Sequence, residues 1–408
     1  MGQYLSSPIT DKETVSGHGS GLQYGISSQQ GWRKSQEDAH ISCEVGNSGA
    51  YLFGVLDGHG GHEVARFVSQ RMPLELQALS EFHSGRYHES LVQVFHRMDS
   101  LMRSHEGLKE LENLRRIAAN GHAGGGAGGE GGSGQQGDEE EDTFDMLRKL
   151  VALQRMVGKG GGGGEGGGGG EDAEEGPLGA EVHVQAGCTA VVALVKDRHI
   201  YVANAGDSRA VLCRGTAAVP LSEDHKPSHA NERARIMAAG GFLSEIGGIT
   251  RVNGNLNLSR AIGDLRYKMN HQLPAAEQII TAEPDVRDIE LQPDDQFLLL
   301  ACDGIWDVMT NQQAVDFIRE RLARGLTPTE CTNELLNACL ANDPREARGV
   351  GCDNMTAALI LFSPNVLPNQ QAPQPSQQQP AGTPTAAASA AVQHEQQPQQ
   401  QPKAMLTS

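Results

Sequence analysis

Short apolar runs that end in a carboxylate recur along this chain, with stretches of helical period between them. Tyr51-Leu52-Phe53-Gly54-Val55-Leu56 has the length and the aromatic and β-branched content of a buried strand, which places Asp57 at its end. Phe297 to Cys302 is a second such run, ending in Asp303-Gly304, and Thr356 to Phe362 is a third, with Asp353 just ahead of it. Ala190 to Val195, His199 to Asn204 and Ala210 to Cys213 follow one another across tight turns, the pattern of an antiparallel sheet. Leu22 to Ser27 and Ala39 to Cys43 read as further strands. After Asp57 the period becomes helical. Val64, Phe67, Val68 and Met72 fall on one face, as do Leu91, Val94, Phe95, Met98, Leu101 and Met102. Glu232 to Ala239, stopped by Gly240-Gly241, Gln312 to Arg324 and Thr329 to Ala341 are also helical.

From about Gly107 the pattern is lost. Two Gly/Glu tracts, Gly121 to Asp142 and Gly158 to Gly176, bracket an amphipathic patch from Phe144 to Val157 that suits a helix. Such tracts cannot offset the entropy of ordering, so disorder is expected across 107–180, as a tolerated insertion or an acidic docking segment. They are not phosphate loops, because no strand leads in and no Gly-Lys-Ser/Thr closes them. The Gln/Pro/Ala-rich tail, 363–408, reads as disordered too. The expected organisation is a polar leader over 1–19, one domain over 20–362 interrupted by the insertion, and the tail.

Composition narrows the function. A formal charge of -18 and a pI near 5.2, with no Lys/Arg block, argue against nucleic acid as a partner. The 7 cysteines lie largely in apolar runs without a Cys-x-x-Cys, as reduced thiols of a cytosolic or nuclear protein do. No apolar run approaches the roughly 20 residues of a membrane span. Met1-Gly2-Gln3-Tyr4-Leu5-Ser6 fits N-myristoylation at Gly2 and fits an ordinary polar leader equally. With only Lys12 nearby as a second signal, an acylated Gly2 would give weak, reversible membrane contact.

The carboxylates change the picture most. An aspartate at the edge of a core is costly unless a cation or dense donors compensate it, and an isolated Asp-Gly is usually a turn. Here Asp57, Asp303 and Asp353 all stand at strand ends, far apart in sequence, which points to one shared site for a hard divalent cation, Mg²⁺ or Mn²⁺. The glycine after Asp57 would let its backbone carbonyl approach the same ion. Arg33, Glu37 and Asp38 cluster before a strand, either as a surface ion pair or as an oxyanion-binding cation with further metal ligands. Asp207, in the turn Gly206-Asp207, adds another carboxylate. His62 reads as structural.

In chain order, the motifs are Trp32-Arg33 with Glu37-Asp38-Ala39, Val55-Leu56-Asp57-Gly58-His59-Gly60-Gly61, Ala205-Gly206-Asp207-Ser208-Arg209, Leu258-Ser259-Arg260-Ala261-Ile262-Gly263-Asp264, Ala301-Cys302-Asp303-Gly304-Ile305-Trp306-Asp307 and Cys352-Asp353-Asn354-Met355-Thr356. From 20 to 362, outside the insertion, the chain resembles the protein phosphatase 2C family of metal-dependent Ser/Thr protein phosphatases. It looks most like the gamma-type members, which also carry an acidic insertion before the Ala190 strand and a Met-Gly-x-Tyr-Leu-Ser start. The resemblance implies an α+β fold, with a central sandwich of two antiparallel β-sheets flanked by α-helices on both outer faces in four layers. It implies that Asp57 bridges two Mg²⁺ or Mn²⁺ ions. Asp303 and Asp353 would complete one ion's ligands, Glu37 and the Gly58 carbonyl the other's, and Asp38 would stand behind them. Asp207 and Asp307, with Asp303, would hold a weaker third ion. The implied reaction hydrolyses phosphoserine and phosphothreonine esters of phosphoprotein substrates by direct attack of a water bridging the two ions. Arg33 would bind the phosphate, and His59 would protonate the leaving oxygen as general acid. A monomer is expected.

Two other readings remain at this point. A hydrolase of other phosphate esters, including a nuclease, would use the same acids, though the acidic surface weighs against nucleic acid. An inactive binding module on the same fold would be expected to lose a metal acid or Arg33, and this chain keeps them all.

Overall fold

The computed structural model describes residues 4–121 and 185–363. The acylation site Gly2, the Gly/Glu tracts with the helix expected between them, and the tail lie outside the described residues. Among the described residues, sixteen strands run in order: β1 (Ile9–Gly19), β2 (Leu22–Gly31), β3 (Ala39–Glu44), β4 (Tyr51–Leu56), β5 (Gly58–His59), β6 (Gly187–Cys188), β7 (Ala190–Lys196), β8 (His199–Ala205), β9 (Arg209–Arg214), β10 (Ala217–Pro220), β11 (Leu243–Ile246), β12 (Ile249–Val252), β13 (Ile262–Gly263), β14 (Asp285–Glu290), β15 (Asp295–Ala301) and β16 (Met355–Phe362). One antiparallel sheet has the order β1-β2-β16-β15-β9-β10, and the other β14-β8-β7-β4-β3.

The apolar runs lack a polar alternate because both faces of these strands are covered. In β15, Leu298 and Leu300 pack between the sheets against Phe53, Val55, Val191 and Ile360. Phe297, Leu299 and Ala301 of the same strand point outward, onto Val315, Ile318, Leu335 and Leu336. Those residues belong to two of the helices, which in chain order are α1 (Glu63–Ala78), α2 (Ser80–His83), α3 (Tyr87–Met102), α4 (His105–Gly121), α5 (Ala230–Ala238), α6 (Asp303–Trp306), α7 (Asn311–Ala323) and α8 (Pro328–Cys339). On the opposite outer face, Leu52, Leu56, Val192 and Leu194 meet Phe67 and Met72 of α1 and Phe95 and Met98 of α3. The result is the four-layer α-β-β-α arrangement. Helices α7 and α8 begin one residue earlier than their apolar period suggests, because Thr310 and Thr327 cap them in capping boxes with Gln313 and Glu330.

Two expected boundaries are corrected. Residues 9–19, read as part of a polar leader, form the edge strand β1, paired with β2 from Ile9↔Gly31 to Gly19↔Leu22. An edge strand keeps most of its side chains in water, so it carries no apolar signature. The insertion does not start at Gly107. Helix α4 runs through it to Gly121, burying Leu111 and Leu114 against α1 and α3.

Between β10 and β14 a small lobe has its own core of Ile236, Val252, Leu258, Ala261, Tyr267 and Ile280. It is tied to the sandwich by ions. Glu232, 3% exposed, accepts from Arg260 at 2.7 Å and Arg235 at 2.6 Å, and Arg260 reaches Asp285 at 2.8 Å. His225 Nε2 bonds Asp285 at 3.0 Å, while its Nδ1 accepts from the Gly206 amide at 3.1 Å. Burial alone would raise the Glu232 pKa, but the Arg260 hydrogen bonds and the Arg235 and Arg260 charges outweigh it and hold the carboxyl at about 2, below its ordinary 4.5. The depressed folded value gives stability that is complete above the unfolded pKa and is lost as pH falls from there toward about 2. Glu232→Gln takes the shared carboxylate from two part-buried guanidinium groups and is expected to cost about 3 kcal/mol at pH 7. Urea unfolding of variant and wild type should show that gap and its narrowing below pH ~4.5. Equal midpoints at pH 7 would remove the network from the stability of the lobe.

Candidate active site

Three strand ends and one loop meet at one end of the sandwich. Asp57 follows β4, Asp303 follows β15, and Asp353 precedes β16, which pairs antiparallel with β15 so that both acids come to the same end. Asp38 enters just before β3. Its Oδ2 accepts from the Thr356 hydroxyl at 2.7 Å, while its Oδ1 is buried without a hydrogen-bond partner. Ligand atoms of Asp38, Asp57 and Cys302 lie within 4.8 Å of one another.

The glycines here answer to packing. A Cβ on Gly58 would stand 2.2 Å from the Glu37 carbonyl oxygen, and one on Gly304 would stand 2.1 Å from that of Asn354. Each Asp-Gly pair thus lets two chains carrying site residues come into backbone contact. Asn354 ties the same chains together. Its Oδ1 accepts from the Glu37 amide at 3.0 Å, and its Nδ2 donates to the Gln30 and Ser35 carbonyls at 2.8 and 2.9 Å. The Glu37 carboxylate accepts from the Ser35 hydroxyl at 2.8 Å and the Gly61 amide at 3.1 Å.

Crowding sets the electrostatics. Burial, then the charges of Asp303, Asp38, Asp353 and Asp207, push the Asp57 carboxyl well above the usual range. Burial and Asp207, Asp353 and Asp307 do the same to Asp303, partly offset by Lys226. Asp38 is pushed up to about 7, chiefly by burial. Folding has brought together acids that repel, beside an orphaned carboxylate oxygen, and a divalent cation resolves both costs. The donors are carboxylate oxygens. Burial and the neighbouring acids hold the Cys302 thiol well above its ordinary pKa, so the set suits a hard ion.

Arg33 lies at the rim, its side chain 44% exposed, and donates to Asp353 at 2.5 Å. The charges of Asp353, Asp57, Tyr4 and Asp303 outweigh its burial and raise its pKa. The chain before β1 belongs here as well, since the Leu5 amide donates to the Trp32 carbonyl at 2.9 Å. His59, in β5, bonds Asp264 Oδ2 through Nε2 at 2.6 Å. Burial disfavours the imidazolium, yet the Asp264 charge and hydrogen bond, with Asp207 and Glu37 adding, raise the His59 pKa. His62 turns away and bonds the Leu114 carbonyl of α4 at 3.1 Å. Asp207 is buried, and Asp307 is exposed at the end of α6.

A sequence model described as Protein phosphatase 2C matches residues 22–118 and 172–347. The chain is 40% identical to "Probable protein phosphatase 2C 60" of Arabidopsis thaliana over 94% of its own length and 98% of that protein's. The chain belongs to the protein phosphatase 2C family. It is also 36% identical to "Protein phosphatase 2C 1" of Paramecium tetraurelia, over 89% of this chain and 99% of the relative. A crystal structure of a phosphatase from a pathogenic strain of Toxoplasma gondii superposes with a TM-score of 0.58 at 21% identity, covering 87% of this chain and 96% of that one, a likeness of fold. As a protein phosphatase 2C, the chain is a protein-serine/threonine phosphatase, so the inactive-module and nuclease readings fall away.

Four residues of this phosphatase site were given no role by sequence reasoning: Asn354, Thr356, Lys226 and Asp264. Asp264 has the clearest signal. It is a buried non-glycine residue with φ of 50°, a left-handed conformation that persists where surrounding bonds over-determine it. Its own amide donates to the Ala186 carbonyl at 3.0 Å, and the preceding amide to Asp99 at 2.8 Å.

Proposed function

We propose that the phosphatase reaction runs on Mg²⁺ or Mn²⁺ held by Asp57, Asp303, Asp353 and Glu37 with the Gly58 carbonyl, and that water attacks the phosphoserine or phosphothreonine ester directly. The observation that carries this reading is the half-buried, mutually repelling carboxylate set beside the buried, unpartnered Asp38 oxygen. When bound, such ions supply an activated water and Lewis acidity toward the phosphoryl oxygens. The chain's residues do the rest. Arg33 offers the guanidinium edge not taken by Asp353 to the phosphate oxygens and balances charge that grows in the transition state. His59, kept charged by Asp264, gives a proton to the departing Ser or Thr oxygen. Asn354 and Thr356 hold Glu37 and Asp38 in place. A cysteinyl-phosphate route has no support, because burial raises the thiols of Cys188 and Cys302 far from the thiolate form.

The same reading makes the protein a monomer of the cytosol or nucleus, with weak membrane contact where Gly2 is acylated. The 7 free cysteines support a reducing compartment. Among the described residues no helix is long and apolar enough to cross a membrane.

The test is phosphate release from a phosphoserine peptide with added Mn²⁺. Arg33→Ala is expected to lower kcat by about 10²–10³ and to raise KM. Unchanged kinetics in this variant would take Arg33 out of phosphate recognition.

A further inference from the structure

Asp264 is held on His59 against its own preferences. Its side chain is fully buried, its Oδ2 bonds His59 Nε2 at 2.6 Å, and its Oδ1 has no hydrogen-bond partner among the described residues. Its φ of 50° follows one of 85° at Gly263. A buried carboxylate with a single partner on a strained backbone stays in place only where its surroundings hold it. An ion pair outside the acid cluster supplies that hold. Asp99 of α3 and Lys268, 9% and 8% exposed, meet at 2.5 Å. Asp99 Oδ1 accepts from the Gly263 amide at 2.8 Å, and Lys268 Nζ donates to the Ala261 carbonyl at 2.7 Å. The pair thus gives one peptide group before Asp264 an acceptor and another a donor. Arg103, which follows α3, donates to the Lys268 carbonyl at 3.0 Å and ties the far side of the turn to the same helix. We propose that Asp99 and Lys268 are positioning residues for the phosphatase reaction, fixing the backbone at 261–264 so that Asp264 stays on His59. The inference rests on the reading of His59 as general acid.

A buried ion pair contributes little net stability, because desolvating two charges offsets their attraction, but it can specify one arrangement of the chain. Here the arrangement is the placing of the Gly263 amide and the Ala261 carbonyl. Apolar side chains of the same volume would fill the space and leave both peptide groups without these partners. The turn could then relax, and the strain at Asp264 gives the direction: out of the left-handed region, with its carboxylate drawn off Nε2. A misplacement of about 1 Å in a group that orients a reacting one can cost on the order of 10² in rate. Neither Asp99 nor Lys268 belongs to the acid cluster, so metal uptake should not move with the pair.

The experiment compares kcat and KM of the full-length protein, with Mn²⁺ added, on a phosphoserine peptide and on an activated aryl phosphate. Lys268→Met keeps the aliphatic stem and removes both of its bonds. It should lower kcat on the peptide by about ten-fold or more, while KM and turnover of the aryl phosphate stay within about two-fold. Added to His59→Gln, it should slow the peptide no further, because the lysine acts through the histidine. Lys268→Arg keeps a donor for Asp99 and should recover most of the loss. Should Lys268→Met fail to fold, Asp99→Asn keeps an acceptor for the Gly263 amide while loosening the lysine, and should show the same split between substrates in weaker form. Unchanged peptide turnover in these variants, equal loss on both substrates, or a loss that multiplies with that of His59→Gln overturns the inference. Equal loss on both substrates in His59→Gln alone removes the general acid beneath it, an outcome that needs no change at Asp99 or Lys268.

Discussion

Exhaustive chelation is expected to reduce phosphate release to the uncatalysed background, and Mg²⁺ or Mn²⁺ to restore it. The acids are the reason. Asp57 feels Asp303, Asp38, Asp353 and Asp207 at once, and each of these charges raises its pKa. Without cations the cluster relieves its repulsion by holding protons, and protonated carboxyls offer neither ligands nor a field that activates water. Nothing else among the described side chains suits the part of nucleophile, since the nearby Cys302 thiol is buried and kept neutral. Binding to the folded state alone should also raise the melting temperature, by an amount that grows with the logarithm of ion concentration above the dissociation constant. Full turnover in excess chelator, after elemental analysis has verified that the metal is gone, would sink the mechanism. Turnover lost but melting unmoved by Mn²⁺ would place the required ion on the substrate instead of the protein.

Much of the sandwich was legible because its central strands are covered on both faces. β4, β7, β15 and β16 read as uninterrupted apolar runs, and the carboxylates that close them stood out against that background. What was missed carried little apolar signal. β1 lies at a sheet edge with most of its side chains in water, and α4 carries a short stripe of leucines between Gly107 and the glycine-rich tract that begins at its last residue. Within the site, Lys226 and Asp264 become partners of Asp207 and His59 only through folding. A lysine in an aperiodic loop has no local mark of its partner. Asp264 did have one, since Gly263-Asp264 repeats the Gly206-Asp207 pattern, but a strained φ is visible only in the structure. For the glycine beside Asp57, sequence pointed to access of its carbonyl to an ion, and folding adds a second requirement, because the Glu37 backbone leaves no room for a Cβ.

His59→Gln is expected to separate two kinds of substrate. An alkoxide of Ser or Thr leaves poorly without a proton, whereas an activated aryl oxide leaves unaided, so loss of a general acid should slow phosphopeptides by roughly 10²–10⁴ and an activated aryl phosphate far less. The geometry makes the expectation sharper. Nε2 is taken by Asp264 at 2.6 Å, so a proton given to the leaving oxygen would be the one on Nδ1, and Asp264 would act by orienting the ring and favouring its charged form. Asp264→Asn keeps a side-chain acceptor and loses the charge, and should therefore show the same selective defect in weaker form. Room for the pair is enforced by Gly187, where a Cβ would stand 2.4 Å from Asp264 Oδ2 and 2.7 Å from His59 Nε2. A packing or metal-site role for His59 predicts a different outcome. Both substrates would then slow together, and part of the loss would return at high Mn²⁺. Equal loss on both, in a variant with wild-type melting and wild-type Mn²⁺ uptake, would leave the proton to come from water.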